Sequence, residues 1–294
     1  MLNRQGYKFT LVDMAVVLLL VAGISFFFFR MGSILAYQWE WNRIPGYFMF
    51  KDSVTGDLRV NMLLSGFLTT IRLSVWATVL GFLLGTLSGI LGAKGSFVQR
   101  FASRLYVETI RNIPSLVLVI LFYYFVSSQF LDALRLDTWL RGQSDGFQQV
   151  TLFLMEGPDR INAFVSAAVA LAIYEGAYIS EIVRGGINAI PAGQWEAAWS
   201  VGLSRPRTFL RVILPQAFRR VAFPLAGQFI STIKDSAIVS VISIQELTFQ
   251  GMELMAATFL TFEIWITITL LYFILTFSLS RTMALFEKRF SRQQ

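Results

Sequence analysis

Six apolar runs dominate this chain, at about residues 11–29, 63–91, 107–127, 161–183, 219–246 and 263–285. Each is roughly 20 residues or longer, the length a helix needs to cross a hydrocarbon core of about 30 Å. Within lipid every backbone N–H and C=O must be satisfied inside the segment, so helices are expected and the fold class is all-α, a polytopic integral membrane protein. The segments between the runs set the orientation. Lys and Arg number fourteen in residues 1–10, 93–104, 184–220 and 286–294, against seven in 30–60, 127–160 and 249–262. The positive-inside rule puts the first set, and with it both termini, in the cytoplasm.

Composition agrees and excludes several chemistries. Of 294 residues, 55% are hydrophobic, 28 are Phe and only 15% are charged; the mean hydropathy is +0.60. The net charge of +7 sits in short basic patches beside apolar runs, which suits anionic lipid headgroups and membrane orientation better than nucleic acid. With neither Cys nor His, disulfides, thiolate chemistry and the usual metal ligand are lost, so no cofactor or metal centre is expected. No G-x-x-x-x-G-K-[ST] sequence occurs. The chain is thus not expected to hydrolyse ATP in the P-loop manner, and an energy source must come from a partner.

Arg4 and Lys8 precede the first apolar run, as in a signal peptide. The run is longer than the 7–15 residues usual for a signal and no A-x-A site follows, so a retained helix is expected. Behind it, Tyr37, Trp39, Trp41, Tyr47 and Phe48 read as aromatics of the membrane interface. Residues 1–60 are therefore taken as an N-terminal transmembrane helix with an interfacial segment, and 61–294 as the main transmembrane domain. The segment 127–160 carries Asp132, Asp137, Asp145, Glu156 and Asp159; it reads as an acidic outer face, either a solvated loop or part of a docking surface.

Between the fourth and fifth runs lies a polar island. Glu196-Ala197-Ala198 is followed after three residues by Gly202, and after nine more by Val212-Ile213-Leu214-Pro215. Pro191, Ala192 and Gly193 end one segment, and Glu196 is expected in the first turn of the next, at the positive end of the helix dipole. Ala197 and Ala198 favour helix and let another surface approach closely. Gly202 suits a left-handed helix end, after which Ser204 can cap a second helix with Pro206 in its first turn. Helix, sharp bend and helix are predicted.

This spacing resembles the EAA loop of the membrane subunits of bacterial ABC importers, with Val212 in place of the family's Ile. The resemblance extends from Leu63 to about Leu247 and is to the polar-amino-acid branch, the histidine/glutamine-type permeases. Gly66-Phe67-Leu68-Thr69-Thr70-Ile71-Arg72-Leu73-Ser74 with Gly81 and Gly85, Glu108-x-x-Arg111-x-x-Pro114, Gly176 to Ile187, Gly193-Gln194-Trp195-Glu196, Leu214-Pro215-Gln216-Ala217 and Lys234-Asp235-Ser236 carry it. It implies a five-helix permease core, to which residues 11–29 add one helix, and an inner-membrane location. It also implies a dimer with itself or a paralogue, a cytoplasmic ABC ATPase dimer below and a periplasmic amino-acid-binding protein above. Glu196, Ala197, Ala198, Gly202, Leu214 and Pro215 would then form the coupling helix region that docks on the ATPase.

The residues themselves suggest further roles. Glu108 and Arg111, like Glu181 and Arg184, are spaced i,i+3 and can pair locally on a helix. Pro114 is expected to kink the third span. Gly81, Gly85 and Gly89 repeat every fourth residue, a smooth stripe for close helix packing. In the fifth run Gln228, Ser231, Thr232, Asp235, Ser243 and Glu246 fall on or near one helical face, with Lys234 beside Asp235. Ionisable groups at membrane depth are costly and mark function or a structural ion pair. An ammonium and a carboxylate together complement an amino-acid zwitterion, so Lys234, Asp235, Ser231 and Gln228 are candidates for lining a substrate pathway. Glu175, in the fourth run, either reads a cationic substrate group or pairs with Lys234 or Arg72; Arg72 itself can snorkel to the outer interface.

The expected protein is a transport subunit rather than an enzyme: the permease of an ATP-driven importer of polar amino acids. Two rivals from other classes remain. An ion-gradient-driven secondary transporter fits the hydropathy but leaves the polar island without a role and would commonly show inverted repeats. A membrane scaffold or sensor would bind an ATPase without moving solute.

Overall fold

The computed structural model describes residues 10–35, 37–52, 56–127, 129 and 132–291. The expectations resting on Arg4 and Lys8, on the two termini and on the side chain of Asp132 lie outside the described residues.

The chain divides between Arg43 and Ile44 into two compact units. In the first, α1 (Leu11–Leu35) begins with a reciprocal cap. The Thr10 amide and hydroxyl each donate to Asp13 Oδ2 at 2.8 Å, and the Asp13 amide donates back to Thr10 Oγ1 at 3.3 Å. Thr10 and Asp13 thereby each satisfy the other's amide at a helix start that leaves such groups open. After α1, Trp39 stacks on Trp41 and meets Tyr37 edge-on.

The second unit opens with α2 (Ile44–Phe48) and an antiparallel hairpin of β1 (Met49–Lys51) and β2 (Leu58–Val60). The remainder is mostly helical. Among the described residues, four helical stretches are long and apolar enough to span a membrane, at Met62–Lys94, Ile161–Asn188, Arg205–Ile242 and Thr261–Lys288. They comprise α3 (Met62–Lys94), α8 (Ile161–Asn188), α11 (Leu214–Asp235) with the turns flanking it, and α13 (Thr261–Ser291). A fifth is counted if α4 (Phe97–Asn112) and the helical turns from Ser115 are taken together. Outside the spans lie α6 (Leu136–Arg141), α7 (Asp145–Leu154), α9 (Ala192–Ser200) and α12 (Leu247–Thr258), while α10 (Arg205–Thr208) opens the third stretch.

The third run departs from a kinked span. Pro114 precedes α5 (Ser115–Leu121), and the two helices meet at 108°, a break rather than a kink. The helix also starts ten residues earlier than the apolar run. Ser96 and Gln99 form a capping box there, with Ser96 N donating to Gln99 Oε1 at 2.8 Å and Gln99 N to Ser96 Oγ at 3.4 Å. At the far end the Asn112 side chain donates through Nδ2 to the Glu108 carbonyl at 2.7 Å, and Pro114 forbids continuation.

The most extensive helix pairing joins α3 to α8, and the glycine stripe is its seam. A Cβ on Gly85 would lie 2.6 Å from the Gly176 carbonyl oxygen, and one on Gly89 would lie 2.6 Å from that of Ser180. Ser88, Ser103 and Ser180 join α3, α4 and α8 through hydroxyl contacts of 3.0 Å. Small residues thus replace bulk with backbone proximity and hydrogen bonds. Beyond the seam, Leu73, Ala77, Val119, Phe164, Ala167, Leu171 and Val239 form one core.

Two acidic residues fall where the sequence pattern misplaces them. Glu156 is buried, accepts from Thr69 Oγ1 at 2.9 Å and lies 4.0 Å from Arg72 Nη1. It belongs to a strap in which Arg72 also donates to the Met155 carbonyl at 3.2 Å and Trp76 to that of Leu154 at 2.9 Å, so it is not a solvated loop acid. Glu246 is not on the face of the fifth span, because the helix gives way to a 3-10 turn at Ser236–Ile242 and Ser243 turns left-handed. It caps α12 instead. Its carboxylate accepts from the Thr248 and Phe249 amides at 2.9 and 2.8 Å, and from Tyr272 Oη at 2.9 Å.

Candidate functional site

The polar island folds as a helical hairpin. Pro191 precedes α9, so Glu196 lies in the second turn and not the first, and it stays exposed with Ala197 while Ala198 packs inward. The helix ends on a two-bond left-handed cap. Gly202 N donates to the Trp199 carbonyl at 2.9 Å, Leu203 N to the Ala198 carbonyl at 3.1 Å, and Gly202 has φ +81°. Nothing lies within 4 Å of a Cβ built on Gly202; conformation alone demands glycine there. Ser204 starts α10 with its backbone, the Thr208 amide reaching its carbonyl at 2.8 Å, while its hydroxyl makes no cap bond.

From Phe209 to Ile213 the chain widens into a π turn before α11. Pro215, second in α11, has no N–H to give the Arg211 carbonyl, and such an interruption is where a helix ladder slips. Ile213 is fully buried, while Leu214 is half-buried and Pro215 exposed. The hairpin is tied to its surroundings by Gln216 Nε2 on Gln194 Oε1 at 3.1 Å and by Arg220 on the Ala189 carbonyl at 2.9 Å. Trp195 stacks against Phe209, and Lys94 Nζ sits 4.1 Å from the centre of a Trp195 ring. The Lys94 contact links the end of α3 to the hairpin, and no spacing rule points to it.

Deeper in the bundle, Gln228 Nε2 donates to Glu175 Oε2 at 2.6 Å, and Thr232 Oγ1 donates to the Gln228 carbonyl at 3.0 Å. Glu175 is fully buried; its second oxygen meets no donor at hydrogen-bond distance among the described residues, with Thr232 and Asp235 of α11 as its neighbours. Neither expected cation reaches it: Arg72 is committed to the outer strap, and Lys234 is exposed and forms no ion pair among the described residues. Ser231 and Asp235 are half-buried on the same helix. Glu175 and Gln228 are therefore brought together, whereas Lys234 stands apart from Glu175. Glu181 and Arg184 pair as expected, at 3.0 and 2.6 Å. Arg111 does not pair with Glu108; its Cζ lies 5.1 Å from the centre of the Tyr178 ring, whose hydroxyl lies 3.2 Å from that of Tyr174. The i,i+4 tyrosines beside Glu175 were the available signal for that polar strip.

A bundle of apolar spans with a buried carboxylate at depth and an exposed hairpin between two spans defines a multi-pass membrane transport subunit. Residues 81–292 match the family of binding-protein-dependent transport system inner membrane components, to which this chain belongs. Its role is that of the membrane-spanning permease subunit of an ABC importer. The chain is 33% identical over 230 residues to the glutamine transport system permease protein GlnP of Escherichia coli (strain K12), covering 78% of this chain and 93% of that one. It is also 33% identical over 232 residues to the probable glutamine ABC transporter permease protein GlnM of Bacillus subtilis (strain 168), covering 79% and 94%. A crystal structure of an amino acid ABC transporter with histidines superposes with a TM-score of 0.62 at 32% identity, over 78% of this chain and 94% of the other.

Proposed function

We propose that this permease carries polar amino acids inward across the inner membrane, driven by ATP hydrolysis in separate subunits that engage the hairpin at Glu196, Ala197, Ala198, Gly202, Leu214 and Pro215. The observation that carries this reading is the pairing of an exposed, glycine-terminated hairpin with intramembrane Lys234, Asp235 and Glu175 in a chain similar to glutamine permeases. A cytoplasmic ATPase dimer below, a periplasmic amino-acid-binding protein above and a second permease subunit, identical or paralogous, complete the assembly. The permease contributes a path whose two conformations bind these partners differently. Lys234, Asp235, Ser231 and Gln228 line that path, the ammonium facing a substrate carboxylate and the carboxylate its amino group; Glu175 fixes Gln228 from behind.

The test is ATP-dependent uptake of a panel of labelled amino acids by the reconstituted complex. Asp235→Asn and Lys234→Gln are each expected to lower uptake per assembled complex about tenfold, the scale of one charge-assisted contact, with yield and thermal stability close to wild type. Normal specific uptake in both variants would reject the pathway assignment, and uptake driven by an ion gradient without ATP would reject the importer reading.

Orientation has its own test, since the chain holds no cysteine. With the hairpin cytoplasmic, a cysteine at Ser204 is expected to resist an impermeant thiol reagent in intact cells, and one at Ser144 to react. Both sites are exposed. The reverse pattern would invert the topology.

A further inference from the structure

Between α4 and α8 lies a cleft of about 610 Å³ whose lining carries four guanidiniums, from Arg100, Arg104, Arg111 and Arg184, against the carboxylates of Glu108 and Glu181. The charges are unevenly matched. Glu181 is consumed by two hydrogen bonds from Arg184, and Glu108 has only a loose contact with Arg104, at 4.0 Å between two exposed side chains. Arg100 and Arg111 form no salt bridge with a carboxylate among the described residues, although the Arg111 charge is felt by Glu181 across the cleft. The Arg111 Cζ lies 5.1 Å from the centre of the Tyr178 ring, a cation–π contact that needs none of the carboxylate-type acceptors its N–H donors can serve. The cleft also adjoins the deeper cluster: Tyr178 hydrogen-bonds Tyr174, the neighbour of Glu175 in α8.

We propose that this cleft is the cytoplasmic vestibule of the solute path and contains an anion subsite, where Arg100 and Arg111 receive the α-carboxylate of the departing amino acid. This rests on the importer reading above. A cleft whose lining carries four guanidiniums against two carboxylates has an excess of positive charge, and between low-dielectric walls such an excess concentrates anions. Exposed guanidinium–carboxylate contacts are individually weak, which suits release into the cytoplasm and not retention.

The cysteine-free chain allows a direct measurement on the whole complex, in inverted vesicles of zwitterionic phospholipid. Asn112→Cys, in the cleft lining, reports the local potential through its reaction with an anionic and a cationic methanethiosulfonate. Arg104→Cys, exposed in the same lining, serves as a second reporter should the first disturb assembly. The anionic-to-cationic rate ratio is expected to exceed that of free cysteine about fivefold or more, and to fall within about twofold of it in an Arg100→Gln/Arg111→Gln background. The best-transported amino acid of the panel should slow the reaction, while its α-carboxamide, lacking the carboxylate, should not. A ratio equal to that of free cysteine, equal protection by acid and amide, or protection only by inorganic phosphate or added phosphatidylglycerol would each overturn the proposal. Normal uptake combined with any of these results sinks the vestibule alone, whereas absence of ATP-driven uptake sinks the importer reading first.

Discussion

Gly85→Val is expected to destabilise the permease by about 3 kcal/mol or more, the upper range for overpacking a close-packed site. The added Cβ would lie 2.6 Å from the Gly176 carbonyl oxygen and 2.7 Å from Ile179 Cβ. Neither neighbour is the free end of a flexible side chain, so α3 and α8 must separate along their whole seam to admit it. Gly227→Val, in a helix where nothing stands within 4 Å, is the matched control and carries only a helix-propensity effect of a few tenths of a kcal/mol. Thermal unfolding of the two purified variants measures the contrast. Equal melting temperatures would mean the seam is not a packing determinant.

Gly202→Val acts by a different route and loses transport while keeping the fold. A β-branched residue at φ +81° costs on the order of 1–3 kcal/mol locally. Because open space surrounds the site, the strain is relieved by re-aiming α9 relative to α10. Uptake is expected to fall at least tenfold with assembly in the membrane intact, whereas Gly202→Asn, which tolerates the left-handed region better, retains most of it. Uptake together with affinity for the ATPase subunits decides the matter; wild-type values for Gly202→Val would remove the hairpin from the coupling path.

Local chemistry made both of these positions legible. A glycine every fourth residue has one common use in an apolar helix, and a glycine after an alanine-rich turn has one common conformation. The break at Pro114 was less legible because an apolar run hides where a helix starts and stops; the Ser96 and Gln99 box, outside the run, marked the true beginning. Glu246 was misread for a related reason. Its helical-face assignment assumed an unbroken helix through Ser243, while the chain leaves α-geometry at Ser236. The partners of Glu175 depended on which helices are neighbours, and residue spacing within one helix carries no information about that. Lys94 on Trp195 belongs to the same kind, joining side chains far apart in sequence through packing alone.

The Glu246 carboxylate also imposes an order on biosynthesis. It gathers a hydroxyl from Thr70 at 3.4 Å and another from Tyr272 at 2.9 Å, while Thr70 Oγ1 in turn receives the Leu247 amide at 3.1 Å. Thr70 therefore emerges from the ribosome 176 residues ahead of Glu246, a wait of roughly 9–35 s at ordinary elongation rates. Until Tyr272 follows, the acid sits at the end of a nascent chain without its full set of donors. A chain that ends before α13 lacks the Tyr272 donor, so its Glu246 carboxylate keeps only Thr70 and the Thr248 and Phe249 amides, and the link from α3 through α12 to the last helix closes only once α13 is made.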